Sequence, residues 1–166
     1  GHFVGHGPVR AFTSPWPVDE YEVRHLLVPG GKNVVGVLVT HFGISTFQYL
    51  HDEAGLIASI EIDGQPATVT DASWRCTPHD GYLWPAPRLT CPQAWEEQFD
   101  ARVAPGLPQE WSAPGFDDSS WSPARALRRA GEPPHKKCEP SDIPMLTLEP
   151  TEPASSALVS LERSST

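Results

Sequence analysis

The stretch NVVGVLV, from Asn33 to Val39, is an uninterrupted apolar run that is rich in β-branched residues. A run of this length and composition is typical of a strand that is buried on both faces, in the middle of a sheet. It is far too short to cross a membrane. The Pro29–Gly31 sequence in front of it predicts a turn. The run therefore predicts a central strand of a β domain.

A second apolar run, LIASIEI from Leu56 to Ile62, follows an aromatic link. Apolar residues alternate in it with Ser59 and Glu61, although Ile57 interrupts the pattern. Alternation of this kind predicts a half-buried strand. Asp63-Gly64 comes next and is a strong signal for a β-hairpin turn. The two runs together predict an all-β fold.

The composition limits the size and the class of the protein. With 166 residues there is room for one domain, or for one domain and a fragment of another. The net charge of −9 argues against a nucleic-acid surface, where a basic stripe is expected. The 19 prolines and 13 glycines favour short strands with many loops over long helices. Six tryptophans suit either a core or a stacking platform.

Cysteines and histidines give no support for a metal or cofactor site. Cys76, Cys91 and Cys138 are odd in number and lack a C-x-x-C pair, so we favour three reduced thiols over a single Cys76–Cys91 bridge. His2 and His6 have the spacing of two metal ligands on a helical turn, but the glycines around them disfavour a helix. We expect no metal and no cofactor. No signal peptide or membrane span is visible, and both a cytoplasmic and a secreted location stay open.

The acidic residues do not form a recognisable catalytic pair. A glycosidase needs two carboxyl groups that face each other across a sugar. Glu96-Glu97 and Asp117-Asp118 are each adjacent in sequence, and neighbouring side chains of an extended chain point to opposite faces. Asp117 and Asp118 suit a turn or a helix cap better. The common hydrolase, metalloprotease and nucleotide-binding motifs are missing too, so we predict no catalytic residue.

Aromatic and polar residues in loops are the candidates for ligand binding. Exposed aromatic rings beside polar groups can stack on the apolar face of a sugar ring. A loop that folds on its own aromatics, and a histidine held by structural hydrogen bonds, are the alternatives. The candidate carbohydrate-binding residues are Trp16, His41, Tyr82, Trp84 and Arg88.

Several segments resemble, in the same order along the chain, motifs from the N-terminal β-sandwich of bacterial α-L-rhamnosidases and related large glycoside hydrolases. T-D-x-S-W, D-A-R and F-D-D-S-x-W are examples, and F-D-D-S-x-W also occurs in many galactose-binding-like modules. One departure is Ser141, which stands where the family has Arg before D-I-P. The matching segments are Gly1–Arg10, Tyr21–Leu38, His41–Tyr49, Thr70–Trp74, Asp100–Arg102, Trp111 with Phe116–Trp121, and Asp142–Pro144.

The resemblance implies a galactose-binding-like jelly-roll β-sandwich, with Pro/Gly-rich loops and incomplete first strands. We expect the sandwich in residues 1–110, a Trp-rich loop and the possible start of a second sandwich in 111–150, and a disordered tail in 151–166. Missing strands leave apolar surface and unpaired backbone, which favours self-association. The residues that the resemblance marks as structural are Asp71, Trp74, Asp100, Arg102, Trp111, Asp117, Asp118 and Trp121.

The resemblance also implies a function. We expect an accessory, non-catalytic module of an α-L-rhamnosidase-like glycoside hydrolase, with a structural or a carbohydrate-binding role. Its partners would be the catalytic (α/α)₆ barrel of the parent chain and rhamnose-containing glycans, and neither a nucleic acid nor a membrane. A stand-alone protein-interaction module is the alternative, and a catalytic fragment comes third.

Overall fold

The computed structural model describes residues 1–11, 14–102, 111–133 and 137–145, together with Thr147, Glu149 and Ser155. The described residues form short strands and one 3₁₀ turn, at Arg24–Leu26. The all-β class predicted from the sequence is confirmed. The strands are β1 (Trp16–Val18), β2 (Ser59–Ile62), β3 (Gln65–Val69), β4 (Arg75–Cys76), β5 (Ser122–Pro123) and β6 (Cys138–Pro140).

The hairpin of β2 and β3 is the most regular element of the structure. The two strands are antiparallel, and Ile62 pairs with Gln65 across the two-residue turn Asp63-Gly64. Asp63 has φ 51° and Gly64 has φ 73°, so both turn residues lie in the left-handed region that a type I′ turn needs. The predicted hairpin turn is therefore confirmed.

Strand β2 is shorter and less buried than the apolar pattern predicts. It begins at Ser59, whereas the apolar run begins at Leu56. The register of the pairing shifts after Ile60, and a bulge in β3 lies opposite this point. The bulge is next to Pro66, which cannot donate a hydrogen bond to the partner strand. Ile60 is half-buried, but Ile62 is 57% exposed. The alternating pattern thus predicts the strand correctly, but it does not predict how exposed the apolar side chains of the strand are.

The other two sheets join parts of the chain that are far apart in sequence. Strand β1 pairs with β6 in parallel, and β4 pairs with β5 antiparallel. Both pairings connect residues before the predicted boundary at 110 with residues after it. The division of the chain at that boundary stays a prediction. The predicted disordered tail, 151–166, lies outside the described residues apart from Ser155.

The run from Asn33 to Val39 is not the buried central strand that the sequence predicts. It is part of no strand, and Val35, Leu38 and Val39 are 52%, 55% and 49% exposed. Trp111 is a close neighbour of the run, because its ring lies so near Gly36 that an added Cβ would overlap it. An apolar sequence alone does not make a buried central strand, because burial also requires neighbouring strands on both sides. Among the described residues no such strands flank this run.

The segment before that run is also different from the prediction. The partial alternation at Tyr21 and Val23 predicts a strand or edge segment over Tyr21–Val28, but the chain makes the 3₁₀ turn at Arg24–Leu26 instead. The turn predicted at Pro29–Gly31 is confirmed: Gly31 N donates to Val28 O over 3.1 Å, and Gly30 has φ 70°. The Asn33 side chain closes this turn, since its Oδ1 accepts from Val28 N at 2.8 Å.

The structure exposes an unusually large surface. Its accessible area is 14175 Å², whereas a compact monomer of 18.1 kDa exposes about 8,000 Å². Large apolar side chains contribute to this area, among them Phe47 at 90%, Leu50 at 76% and Phe3 at 69% exposure. Of the described apolar side chains, only that of Ala86 is buried. The described residues therefore lack a dense core of their own.

Candidate functional site

The segments 81–89 and 94–100 run antiparallel and form a hairpin-like unit, which we call the aromatic arm. Its regular bonds include Asp100 N to Gly81 O and Leu83 N to Gln98 O, both 2.8 Å. Isolated bridges pair Tyr82 with Phe99 and Arg88 with Trp95. Prolines interrupt the ladder, so the arm remains irregular and is not a continuous strand pair. Ala86, whose apolar side chain is buried, lies within the arm, as does the buried Gly81.

The aromatic arm is fixed at its tip to the loop that follows the apolar run. Gln93 N donates to Thr90 O over 3.1 Å and closes the turn at the tip. Phe47 N donates to Pro92 O over 3.0 Å, and Trp95 Nε1 donates to Phe42 O over 2.9 Å. These two bonds come from a segment far away in sequence. They hold the arm in one position relative to residues 42–47.

Trp95 is the centre of the most prominent cluster on the arm. The Trp84 ring meets the Trp95 ring edge to face, with centroids 4.8 Å apart and an interplanar angle of 87°. The Arg88 guanidinium lies over the same Trp95 ring, 5.7 Å from its centroid. Trp84 is 68% exposed, whereas Trp95 is half-buried. The structure thus brings together two predicted candidates, Trp84 and Arg88.

Tyr82 belongs to a separate cluster on the same arm. Its ring centroid lies 5.0 Å from that of Phe99 and 5.1 Å from that of His79. Gly81 is buried between these rings, and an added Cβ would come within 2.6 Å of the Phe99 ring. Tyr82 remains 42% exposed. This arrangement fits the alternative in which the loop folds on its own aromatic residues.

The remaining two candidates lie outside the arm. His41 donates from Nε2 to the carbonyl oxygen of Asp52 over 2.8 Å, and its ring is 5.7 Å from that of His51. This bond fits the alternative of a structural histidine. Trp16 begins strand β1 and is half-buried.

Sequence reasoning missed Trp95 as a site residue. Trp95 precedes the acidic pair Glu96-Glu97, and nothing in its immediate neighbours marks it as the partner of Trp84. The turn at Thr90–Gln93 is the signal that could have found it, because a hairpin around this turn places Trp95 opposite Arg88. Pro85 and Pro87 before the turn and Pro92 within it obscure that pattern.

The motif T-D-A-S-W forms a local turn that ends on an anchored tryptophan. Ser73 donates to Asp71 Oδ1 from its hydroxyl over 2.6 Å and from its backbone N–H over 2.7 Å. These bonds stabilise the carboxylate, so the pKa of Asp71 is lowered, first by the side-chain bond and then by the backbone bond. Trp74 is half-buried and donates from Nε1 to Val69 O over 2.9 Å. This contact joins the turn to strand β3.

The motif D-A-R contains an ion pair with two parallel hydrogen bonds. Arg102 donates from Nε to Asp100 Oδ1 over 2.9 Å and from Nη2 to Asp100 Oδ2 over 2.7 Å. The side chain of Arg102 is 89% exposed, and that of Asp100 is 18% exposed. The pKa of Arg102 is raised by this bond to Asp100. The pair lies at the end of the aromatic arm where Asp100 N donates to Gly81 O.

The motif F-D-D-S-S-W forms a compact aromatic loop. The Trp121 ring lies 5.5 Å from that of Phe116 and 6.4 Å from that of Trp111, measured between centroids. Asp117 Oδ1 accepts from Ser119 N over 3.0 Å, and hydrogen bonds from Ser119, that of the side chain first, lower the pKa of Asp117. Asp118 O accepts from Trp121 N over 2.9 Å. The Asp117 side chain thus stabilises the turn, whereas Asp118 contributes only its backbone carbonyl.

Neither a metal site nor a further cavity among the described residues indicates a second functional site. The described residues contain no group of three or more His, Cys, Asp or Glu side chains that could hold a metal ion. The three cysteines are exposed free thiols. Two concave surfaces, of about 360 and 380 Å³, are lined by residues near Tyr21 and near Ser141, away from the aromatic arm. In the part of the chain that the structure describes, no helix has the length and apolar character to cross a membrane.

Comparisons with known proteins agree with the sequence motifs. The family model of the α-L-rhamnosidase N-terminal domain matches residues 8–145. A crystal structure of a GH78 family rhamnosidase of Bacillus sp. GL1 matches with a TM-score of 0.73 and 39% identity over 86% of this chain. The chain spans 15% of the length of that rhamnosidase. No curated protein matches the chain. The chain belongs to the family of α-L-rhamnosidase N-terminal domains.

Proposed function

We propose that this chain is a non-catalytic accessory module of an α-L-rhamnosidase-like glycoside hydrolase and that its aromatic arm binds carbohydrate. The exposed ring of Trp84, held by Trp95, is the observation that carries the proposal. The proposed fold is a galactose-binding-like jelly-roll sandwich. The proposed partner is the catalytic domain of a longer chain, because the matching rhamnosidase is far longer than this one.

The position of Trp84 suits stacking on a sugar. A tryptophan side chain offers a large apolar face, and leaving 68% of it in water costs free energy unless a ligand or partner covers it. The edge-to-face contact with Trp95 limits the orientations of the Trp84 ring, and Trp95 is itself tied to Phe42 O. A ring that is already oriented loses little conformational entropy when a ligand binds.

The acidic residues support a non-catalytic role. A general acid that works near neutral pH needs a raised pKa, but hydrogen bonds from Ser119 lower the pKa of Asp117. The Asp117 carboxylate is engaged in the turn of the aromatic loop, to which Asp118 contributes its backbone carbonyl. Hydrolysis is therefore assigned to another domain.

A purely structural role is the second candidate, and the exposed run at Val34–Val39 favours it. Its apolar side chains stand half in water, and a domain that packs on this run would cover them. The apolar surface of a monomer rarely remains uncovered over such a length. In that case the aromatic arm would be a folding unit without a ligand.

Titration with L-rhamnose and rhamnose-containing oligosaccharides, followed by NMR, tests the proposed binding. We expect saturable shifts of the Trp84 and Trp95 indole signals in the wild type. Trp84→Ala should weaken binding about tenfold, which corresponds to about 1.4 kcal/mol.

Phe3→Ala is the matched control, because Phe3 is 69% exposed but lies away from the aromatic arm. It should leave binding unchanged. Two outcomes would contradict carbohydrate binding at Trp84: no saturable binding in the wild type, which a structural or protein-interaction module would give, or equal binding by the two variants.

A further inference from the structure

We infer that the aromatic arm selects sugars that carry a carboxylate, such as uronic acids, and that Arg88 binds this carboxylate. The inference rests on the proposed stacking of a sugar on Trp84. It adds the chemical class of the ligand and the residue that discriminates between neutral and acidic sugars.

Arg88 is held in place by the backbone of its own arm. Nε and Nη2 donate to Gln93 O over 3.2 and 3.0 Å, and Nη2 also donates to Cys91 O. A guanidinium group has five N–H donors, and these bonds use those of Nε and Nη2. Among the described residues, Nη1 has no hydrogen-bond partner, so its two N–H groups are available to a ligand. The guanidinium is therefore oriented before any ligand arrives.

Among the described residues, Arg88 has no carboxylate partner, whereas several other arginines have one. The acceptors that contact it are carbonyl oxygens, which do not neutralise its charge. In contrast, Arg102 pairs with Asp100, and both Arg125 and Arg128 pair with Glu53. In a chain with a net charge of −9, a fixed guanidinium without a carboxylate partner is a local attraction for an anion.

Trp84 and Arg88 share one support. Both lie against the Trp95 ring, with the Trp84 centroid at 4.8 Å and the Arg88 guanidinium carbon at 5.7 Å from the Trp95 centroid. Because both groups lie close to the same ring, a small oligosaccharide is long enough to reach from the Trp84 ring to the Arg88 guanidinium. Sugar stacking and carboxylate binding are thus compatible in one ligand. Hydrogen bonds between a guanidinium and a carboxylate are about twice as strong as those between neutral groups, which supplies the selectivity.

The test uses D-glucose and D-glucuronic acid, which differ at C6 in a hydroxymethyl group and a carboxylate. We expect the wild type to bind glucuronate at least about fivefold more tightly than glucose at low salt. Raising the salt concentration should shrink this preference, because salt screens an exposed ion pair. Glucuronate, and not glucose, should shift the side-chain ¹⁵Nε signal of Arg88.

Arg88→Gln should bring the preference for glucuronate close to one, and Arg88→Lys should leave an intermediate preference. The control, Arg10→Gln, removes one positive charge from an exposed position outside the arm and should preserve the preference. The Trp84 and Trp95 indole signals report whether each variant keeps the folded arm.

The inference is overturned if the wild type binds the two sugars equally, or if a folded Arg88→Gln variant keeps the preference. Equal, saturable binding leaves the proposed carbohydrate function standing while it removes the role of Arg88. Absence of binding to both sugars refutes the inference, and the titration with L-rhamnose then decides the proposed carbohydrate function.

Discussion

Replacing Gly36 with alanine tests the contact between the apolar run and the aromatic loop. The ring of Trp111 lies so close to Gly36 that a new Cβ would meet its Cη2 at 2.5 Å and its Cε3 at 3.0 Å. Such an overlap forces the ring away from the backbone. Inserting a methyl group into a packed contact costs about 1–3 kcal/mol. Alanine also reduces the conformational entropy of the unfolded chain, which raises the free energy of unfolding by about 0.4–1 kcal/mol. We expect a net loss of about 1–2 kcal/mol.

Gly115→Ala is the matched control for this substitution. No heavy atom lies within 4 Å of a Cβ at Gly115, and its backbone is outside the left-handed region. This variant should be neutral or more stable by up to about 1 kcal/mol. The free energy of unfolding is measured by urea denaturation, followed by far-UV circular dichroism at low protein concentration.

Two more variants, Trp111→Ala and the double variant Trp111→Ala/Gly36→Ala, show whether the Trp111 ring causes the loss of stability. In a Trp111→Ala background the ring is gone, so adding Gly36→Ala should cost nothing and behave like Gly115→Ala. The difference between the two backgrounds is the coupling energy of the pair. The reasoning is refuted if Gly36→Ala is as stable as Gly115→Ala, or if its cost persists without the Trp111 ring.

Two further predictions concern pH and association. The pKa of Asp71 is lowered by the Ser73 hydroxyl and then by the Ser73 N–H, so its stabilisation is present above the unfolded pKa of about 3.9 and is lost as pH falls through the folded value. The melting temperature should therefore drop below about pH 4, and less steeply in Asp71→Asn; an equal pH dependence would contradict this. The isolated chain should elute larger than a monomer in size-exclusion chromatography, because side chains such as Phe47 and Leu50 are exposed. A monomer with one sharp unfolding transition would refute that expectation.

Local signals in the sequence predicted local structure. Asp63-Gly64 specifies its turn because both residues tolerate positive φ, and the backbone angles of the two residues confirm it. Asp71 and Asp117 specify their turns because a short carboxylate reaches the backbone two residues on. Each of these interactions spans only a few residues, so the sequence alone contains both partners.

Long-range pairing could not be predicted in the same way. The run at Asn33–Val39 has the composition of a buried strand, but its environment depends on neighbours that the run does not encode. The site shows the same limit. Trp84 and Arg88 were visible as an aromatic and a polar residue in one loop, whereas Trp95, which holds both, became apparent only through its position across the arm.

The pairing of β1 with β6 has a consequence for the order of folding. Trp16 pairs with Cys138, so this sheet closes nearly the whole described chain into a single loop. The entropy cost of loop closure rises with the logarithm of loop length, and contacts between distant residues form slowly. The β2–β3 hairpin, closed by two residues, can form while synthesis continues. The β1–β6 sheet must wait until Cys138–Pro140 has left the ribosome, so strand β1 stays unpaired while the residues between the two strands are synthesised.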